Sequence, residues 1–199
     1  MAMVLNKRFL FLSILYILIV AQASAQDDEL PKPYINHADN GLIYNTVFTY
    51  REHSFSGLMV VKKEGEAYRV VLLSKLGPSI MDFLIADGKL TWNKVPKGME
   101  RAVIRRIMAK DFSIMLLTDL QNPEKVKEKK NGYKIKGDNT IKIKLTADNK
   151  VREAETKNNF TFLKTYASFF YTNSDPIPDE ICVNHRYIKM KMEMKLLDR

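Results

Sequence analysis

Side chains able to do metal or nucleophilic chemistry are few in this sequence and widely spaced. The three histidines, His37, His53 and His185, stand apart, and none has a second type of ligand at the spacing a metal site requires. Each is expected to be an ordinary surface or partly buried residue, with no bound metal. Ser54, Ser56, Ser74, Ser79, Ser113, Ser168 and Ser174 lack the local signature of a nucleophile, and there is no Gly-x-Ser-x-Gly elbow, phosphate loop or dinucleotide fingerprint. A protein without catalytic residues or cofactor is expected; the competing case is a hydrolase whose residues converge from distant positions. Cys182, three residues before His185, would suit a thiol and its base. Its place between Ile181 and Val183 in a strand-like run argues instead for a buried, structural thiol, and as the only cysteine it has no disulfide partner in the chain.

Two other patterns carry little chemistry. The lysines between Lys125 and Lys136 are interleaved with Glu128 and follow Glu124, and only Tyr133 could stack on a base, so a solvated helix end and loop is expected rather than a nucleic-acid surface. Asn159-Phe160-Thr161 matches a glycosylation acceptor, a short pattern common by chance. What remains is apolar material. Beyond residue 25 the chain keeps eight of its ten methionines, and the stretch Val70 to Leu73 is apolar on both faces. Methionine is flexible and polarizable, so a Met-lined surface can follow an irregular apolar ligand; plain core packing is the competing reading.

The elements that would position these residues follow from periodicity. Asn45 to Tyr50 is an element of either type. Phe55 to Lys63, Tyr68 to Leu73, Ser79 to Ala86 and Lys89 to Val95 read as an antiparallel meander, divided by Gly77-Pro78 and Asp87-Gly88. Between Lys97 and Leu117 the period changes: Val103, Ile104, Ile107, Met108, Phe112, Met115 and Leu116 fall three or four apart, which predicts one amphipathic helix with an apolar face on a sheet and an arginine-rich face in solvent. Tyr133 to Lys136, Thr140 to Thr146, Val151 to Lys157 and Phe160 to Tyr171 are hairpin-linked strands. Ile188 to Leu196 then alternates strictly, sending Met190, Met192 and Met194 to one face and Lys189, Lys191 and Lys195 to the other, as a strand near the end of a sheet. Strands, a helix and strands again give a mainly β fold of the α+β type: a single curved antiparallel sheet with helix over its inner face.

The N-terminus reads as a leader. Lys7 and Arg8 precede an apolar run from Phe9 to Ala21, and Ala23-Ser24-Ala25 precedes an acidic stretch, which predicts a signal peptide over residues 1–25 and a working domain over 26–199. The run would reach about 20 Å as a helix, short of a bilayer core of about 30 Å, so cleavage and a soluble periplasmic or secreted product are expected. Without Lys7 and Arg8 the remainder carries 30 basic and 23 acidic residues, a net charge of +7 that favours anionic surfaces. No cysteine lies near the cleavage point, so the product is not expected to be lipidated there.

The order of motifs resembles the periplasmic lipoprotein carriers and outer-membrane lipoprotein receptors of bacteria, the LolA/LolB-like proteins. Phe55-Ser56-Gly57 opens a strand; the Tyr68 to Leu73 strand, the Asp87-Gly88-Lys89-Leu90-Thr91-Trp92 turn and strand, a helix after Val95-Pro96, and Pro178-Asp179-Glu180-Ile181 before a last alternating strand follow in that order. The resemblance implies an incomplete antiparallel barrel with a helical lid over an apolar cavity that holds acyl chains. It implies cavity walls at Val70, Leu72, Phe83, Trp92, Met190, Met192 and Met194, and a lid at Val103, Ile107 and Met115. It further implies a monomeric lipid or lipoprotein carrier of outer-membrane biogenesis, in contact at times with the membrane or envelope proteins and not with nucleic acid. The competing functional class is an exported envelope structural or interaction module without a ligand.

Overall fold

Apolar stretches broken by Gly, Pro, Asn and Asp become twelve strands and one α-helix in the computed structural model, which describes residues 30–86, 89–95, 99–121, 123–136, 140–157 and 164–198. The strands are β1 (Leu42–Tyr50), β2 (His53–Glu64), β3 (Ala67–Ser74), β4 (Ser79–Ala86), β5 (Lys89–Lys94), β6 (Lys125–Lys129), β7 (Gly132–Lys136), β8 (Thr140–Leu145), β9 (Val151–Lys157), β10 (Lys164–Phe170), β11 (Glu180–His185) and β12 (Met190–Asp198); the helix α1 is Ala102–Leu116. All belong to one compact unit, Pro31–Arg199. The expected leader lies outside the described residues, as do Asp87-Gly88, Gly137-Asp138-Asn139 and Asn159-Phe160-Thr161.

The strands form one antiparallel sheet in the order β5-β4-β3-β2-β1-β12-β11-β10-β9-β8-β7-β6. Among the described residues the two edges, β5 and β6, do not pair, so the sheet is open. Its register puts apolar side chains in rows on one buried face. One row runs Leu42, Val61, Val70, Phe83, Trp92 across β1 to β5. Another runs Tyr133, Ile143, Ala154, Ala167, Val183, Met192, Phe48, Phe55 from β7 to β2. A one-residue slip would turn each row to water, so burial pins the register.

Helix α1 packs against β4 and β5 at one wing and against β9, β10 and β11 at the other. Six strand steps separate β4 from β10 in the sheet order, about 29 Å if flat, whereas a helix is about 10–12 Å across. The sheet must therefore wrap around the helix. Gly57 shows how tight the wrap is: a Cβ there would lie 2.0 Å from the Leu73 carbonyl oxygen, so only glycine fits between β1 and β3.

Three sequence expectations are corrected, and one element left open is assigned. The alternating last strand is not near an end: β12 pairs with β1 and β11 in the middle of the sheet, because its methionine face needs cover from both wings. Lys125 to Lys136 is no helix end and loop but the β6–β7 hairpin, with β6 wholly exposed as an edge strand. An edge strand with water on its faces needs no apolar alternation, and its lysines discourage pairing with another chain. Cys182 is half-buried rather than buried, since Ile181 and Val183 take the inner face and strand geometry turns the residue between them outward. Asn45 to Tyr50, readable as either type, is strand and begins at Leu42.

Candidate functional site

The face between α1 and the sheet collects most of the residues singled out in the sequence. Val70, Leu72 and Phe83 are buried there, Trp92 is half-buried beside Phe83, and Met190, Met192 and Met194 are buried on β12. Phe112 of α1 seats on Phe83 with ring centroids 4.5 Å apart, and Trp92 lies 5.1 Å from Phe83 on the other side. Met59, Met81, Met108 and Met115 are buried as well as the three methionines of β12, seven in all on helix and sheet. Such side chains can fill irregular gaps by rotation about three bonds.

The helix is held unevenly. From Asp111 to Thr118 every residue is buried, whereas Arg101, Ala102, Val103, Arg105 and Arg106 are exposed. Its N-terminus has no side-chain cap and no acid in the first turn, so little secures that end. Val103, expected on the sheet-facing stripe with Ile107 and Met115, is 68% exposed. The stripe covers the sheet only from about Ile107 onward, because the first turn projects beyond the wrap; Ile107 is half-buried and Met115 fully buried.

Sequence reasoning missed the polar fastening of α1. Asp111 Oδ2 is 2.9 Å from His185 Nε2, His185 Nδ1 is 3.2 Å from Thr165 Oγ1, and Thr165 Oγ1 donates to Asp111 Oδ1 at 3.3 Å. The Asp111 and His185 side chains are 7% and 2% exposed. Thr165 and His185 face one another across the β10–β11 register, so the ring ties the helix to those two strands. Thr165 and the imidazole supply the donors and the Asp111 carboxyl accepts, with the His185 tautomer setting which ring nitrogen donates. Burial holds the Asp111 carboxyl above its ordinary range, against the lowering effect of its bonds to His185 and Thr165. A signal for this ring was present in the helix: Asp111 lies three residues beyond Met108 and four before Met115, a carboxylate inside the apolar stripe. The ring is closed, with Asp111 and Thr165 buried, and ties α1 to β10 and β11.

A second fixture follows the helix. Leu117 turns the chain in the left-handed conformation with φ 57°, and Gln121 Nε2 then donates to the Tyr68 hydroxyl at 2.6 Å, which itself donates to Asn36 Oδ1 at 3.2 Å. Burial raises the Tyr68 phenol to about 12 despite the Gln121 bond. Nearby, burial pushes the Tyr34 phenol well above its ordinary range, and the neighbouring Tyr44 hydroxyl adds to the shift.

Among the described residues no group of His, Cys, Asp and Glu could hold a metal ion. No described helix is long and apolar enough to cross a membrane. No protein-family model matches the sequence, and no curated protein matches it. Among solved structures, the chain is similar to a putative outer membrane lipoprotein-sorting protein domain from Vibrio parahaemolyticus, at 11% identity and a TM-score of 0.44, over 82% of this chain and 87% of that one.

Proposed function

We propose that the protein is an exported carrier or binding protein for lipid or lipoprotein acyl chains, held noncovalently between α1 and the methionine-rich face of the sheet. The observation that carries this reading is the set of seven buried methionines on the sheet and on a helix fastened firmly at one end and loosely at the other. An acyl chain leaving water gains about 0.8 kcal/mol per buried methylene. Such a ligand needs an adaptable apolar wall rather than fixed polar contacts, and α1 acts as the lid whose uncapped end lifts to admit it. The order of motifs shared with the lipoprotein carriers supports the same reading. In this account the leader is removed near Ala25 and the product works in the periplasm as a monomer, without metal, cofactor or catalysis.

The test is mass spectrometry of solvent extracts from the purified mature protein. Lipid or lipoprotein acyl chains in stoichiometric amount are expected. An extract free of lipid, from a protein that instead retains a tight protein partner in pull-downs, would replace the carrier with a packed envelope module.

A further inference from the structure

Two neighbouring turns at one end of the central strands form a second feature. The β1–β2 turn carries Arg51 and Glu52, and the β11–β12 turn carries Arg186, Tyr187, Ile188 and Lys189. The Arg51 backbone N–H donates to the Lys189 carbonyl at 2.7 Å, which joins the turns into one platform. A shallow cleft of about 660 Å³ opens there, lined by both turns and by Lys191 of β12. Arg51, Arg186 and Lys189 are exposed and make no ion pair among the described residues, while Lys191 is bound to Glu193 at 2.7 Å. Glu52, also exposed, is the acid of the two turns, so the platform keeps a net positive charge. The guanidinium of Arg186 lies 5.4 Å from the Tyr187 ring centroid, and that of Arg51 lies 5.4 Å from the Tyr50 centroid.

We propose that this platform docks the protein on an anionic phospholipid surface. Unpaired cations in one small area meet the negative potential of such a surface, and the 62% exposed Tyr187 supplies an aromatic ring with a polar tip, suited to the headgroup layer. Tyr187 is the one aromatic residue of the two turns, short of the succession of rings on which a single strand stacks, which disfavours a polynucleotide. The proposal rests on the acyl-carrier reading, because a carrier must meet a membrane to load or unload. It adds the face that does so, at the end of the strands where His185 and Met190 also line the cleft.

The test measures sedimentation of the mature protein with vesicles of phosphatidylcholine alone or with 30% phosphatidylglycerol, a composition chosen at about a third anionic lipid. Binding to the anionic vesicles only, lost in high salt, is expected. The triple variant Arg51→Gln, Arg186→Gln, Lys189→Gln should bind about a hundredfold more weakly, about fivefold per cation. A control triple, Lys62→Gln, Lys63→Gln, Lys89→Gln, removes the same charge from the opposite ends of β2 and β5 and should bind within about twofold of the unmutated protein. Equal losses in both triples, equal binding to both vesicles, or displacement by millimolar inorganic phosphate at matched ionic strength would overturn the proposal. So would tighter binding to an oligonucleotide than to anionic vesicles. Fluorescent acyl-probe uptake in vesicle-free solution separates the two readings. Anionic docking without uptake sinks the carrier and leaves the surface, whereas uptake without docking does the reverse.

Discussion

The closed Asp111–His185–Thr165 ring makes a sharp prediction. Asp111→Ala removes the helix's anchor and leaves the buried His185 Nε2 without its partner, while Nδ1 keeps Thr165, and should cost about 3–5 kcal/mol. For a domain of this size that corresponds to a fall in Tm of about 6–20 °C. Asp111→Asn should behave quite differently. Its amide oxygen can accept from Thr165, its NH2 can donate to His185 Nε2, and the imidazole can then donate from Nδ1 to Thr165, so the ring of hydrogen bonds can close without a carboxylate. The expected cost is below about 1 kcal/mol at neutral pH. The pH dependence should also change. The Asp111 carboxyl is held above 3.8 in the folded protein, so it binds its proton more tightly folded than unfolded. That contribution is complete below pH 3.8 and is lost as pH rises through the raised value, a loss of stability with pH that asparagine cannot show. The assay is urea unfolding of the native protein and both variants from pH 4 to 9. If Asn costs as much as Ala, or if native and Asn profiles run parallel, the buried Asp111 carboxyl does not set the stability of the ring as argued.

Other expectations can be checked with the same equipment. Gly57→Ala places a methyl 2.0 Å from the Leu73 carbonyl and should lower stability by at least about 1–3 kcal/mol, read by thermal unfolding, because backbone rather than a flexible side chain must give way. Val103→Asp, at a 68% exposed position, should change stability by less than about 0.5 kcal/mol, and a large loss would mean that the first turn of α1 is buried after all. Met192→Ala should cost less than the roughly 2–5 kcal/mol of a fully packed core methionine and should alter fluorescent acyl-probe uptake. Intact mass of the exported product should show Gln26 as its first residue.

How much was legible in the sequence depended on whether the signal was local. The alternation of Met190 to Lys195 gave both the strand and its buried face, since side chains two apart must share a side. Its central position was invisible, because pairing with β1 joins residues 140 to 155 apart and no periodicity encodes a partner. The helix was readable from three- and four-residue spacing, but how far the sheet covers it depends on curvature, so Val103 was placed on the wrong side of the boundary. β6 escaped notice because an exposed edge strand keeps no apolar stripe. Asp111 and His185 are 74 residues apart, and each alone looks ordinary. The hint was a carboxylate lodged in an apolar stripe, which only a buried partner can stabilise.

The central claim is that an acyl chain lies between α1 and the sheet, and Trp92 reports on it directly. It is the only tryptophan in the chain and stands in register with Phe83, on which Phe112 of the helix rests. Bromine carried on an acyl chain quenches indole fluorescence only at near contact. Titration of the mature protein with brominated and unbrominated fatty acids should therefore show saturable quenching by the brominated form alone, reduced when Phe112→Ala disturbs the seat of the helix. Trp92 emission that stays equal for both ligands, while either is shown to bind by equilibrium dialysis, would place the acyl chain elsewhere and contradict the account.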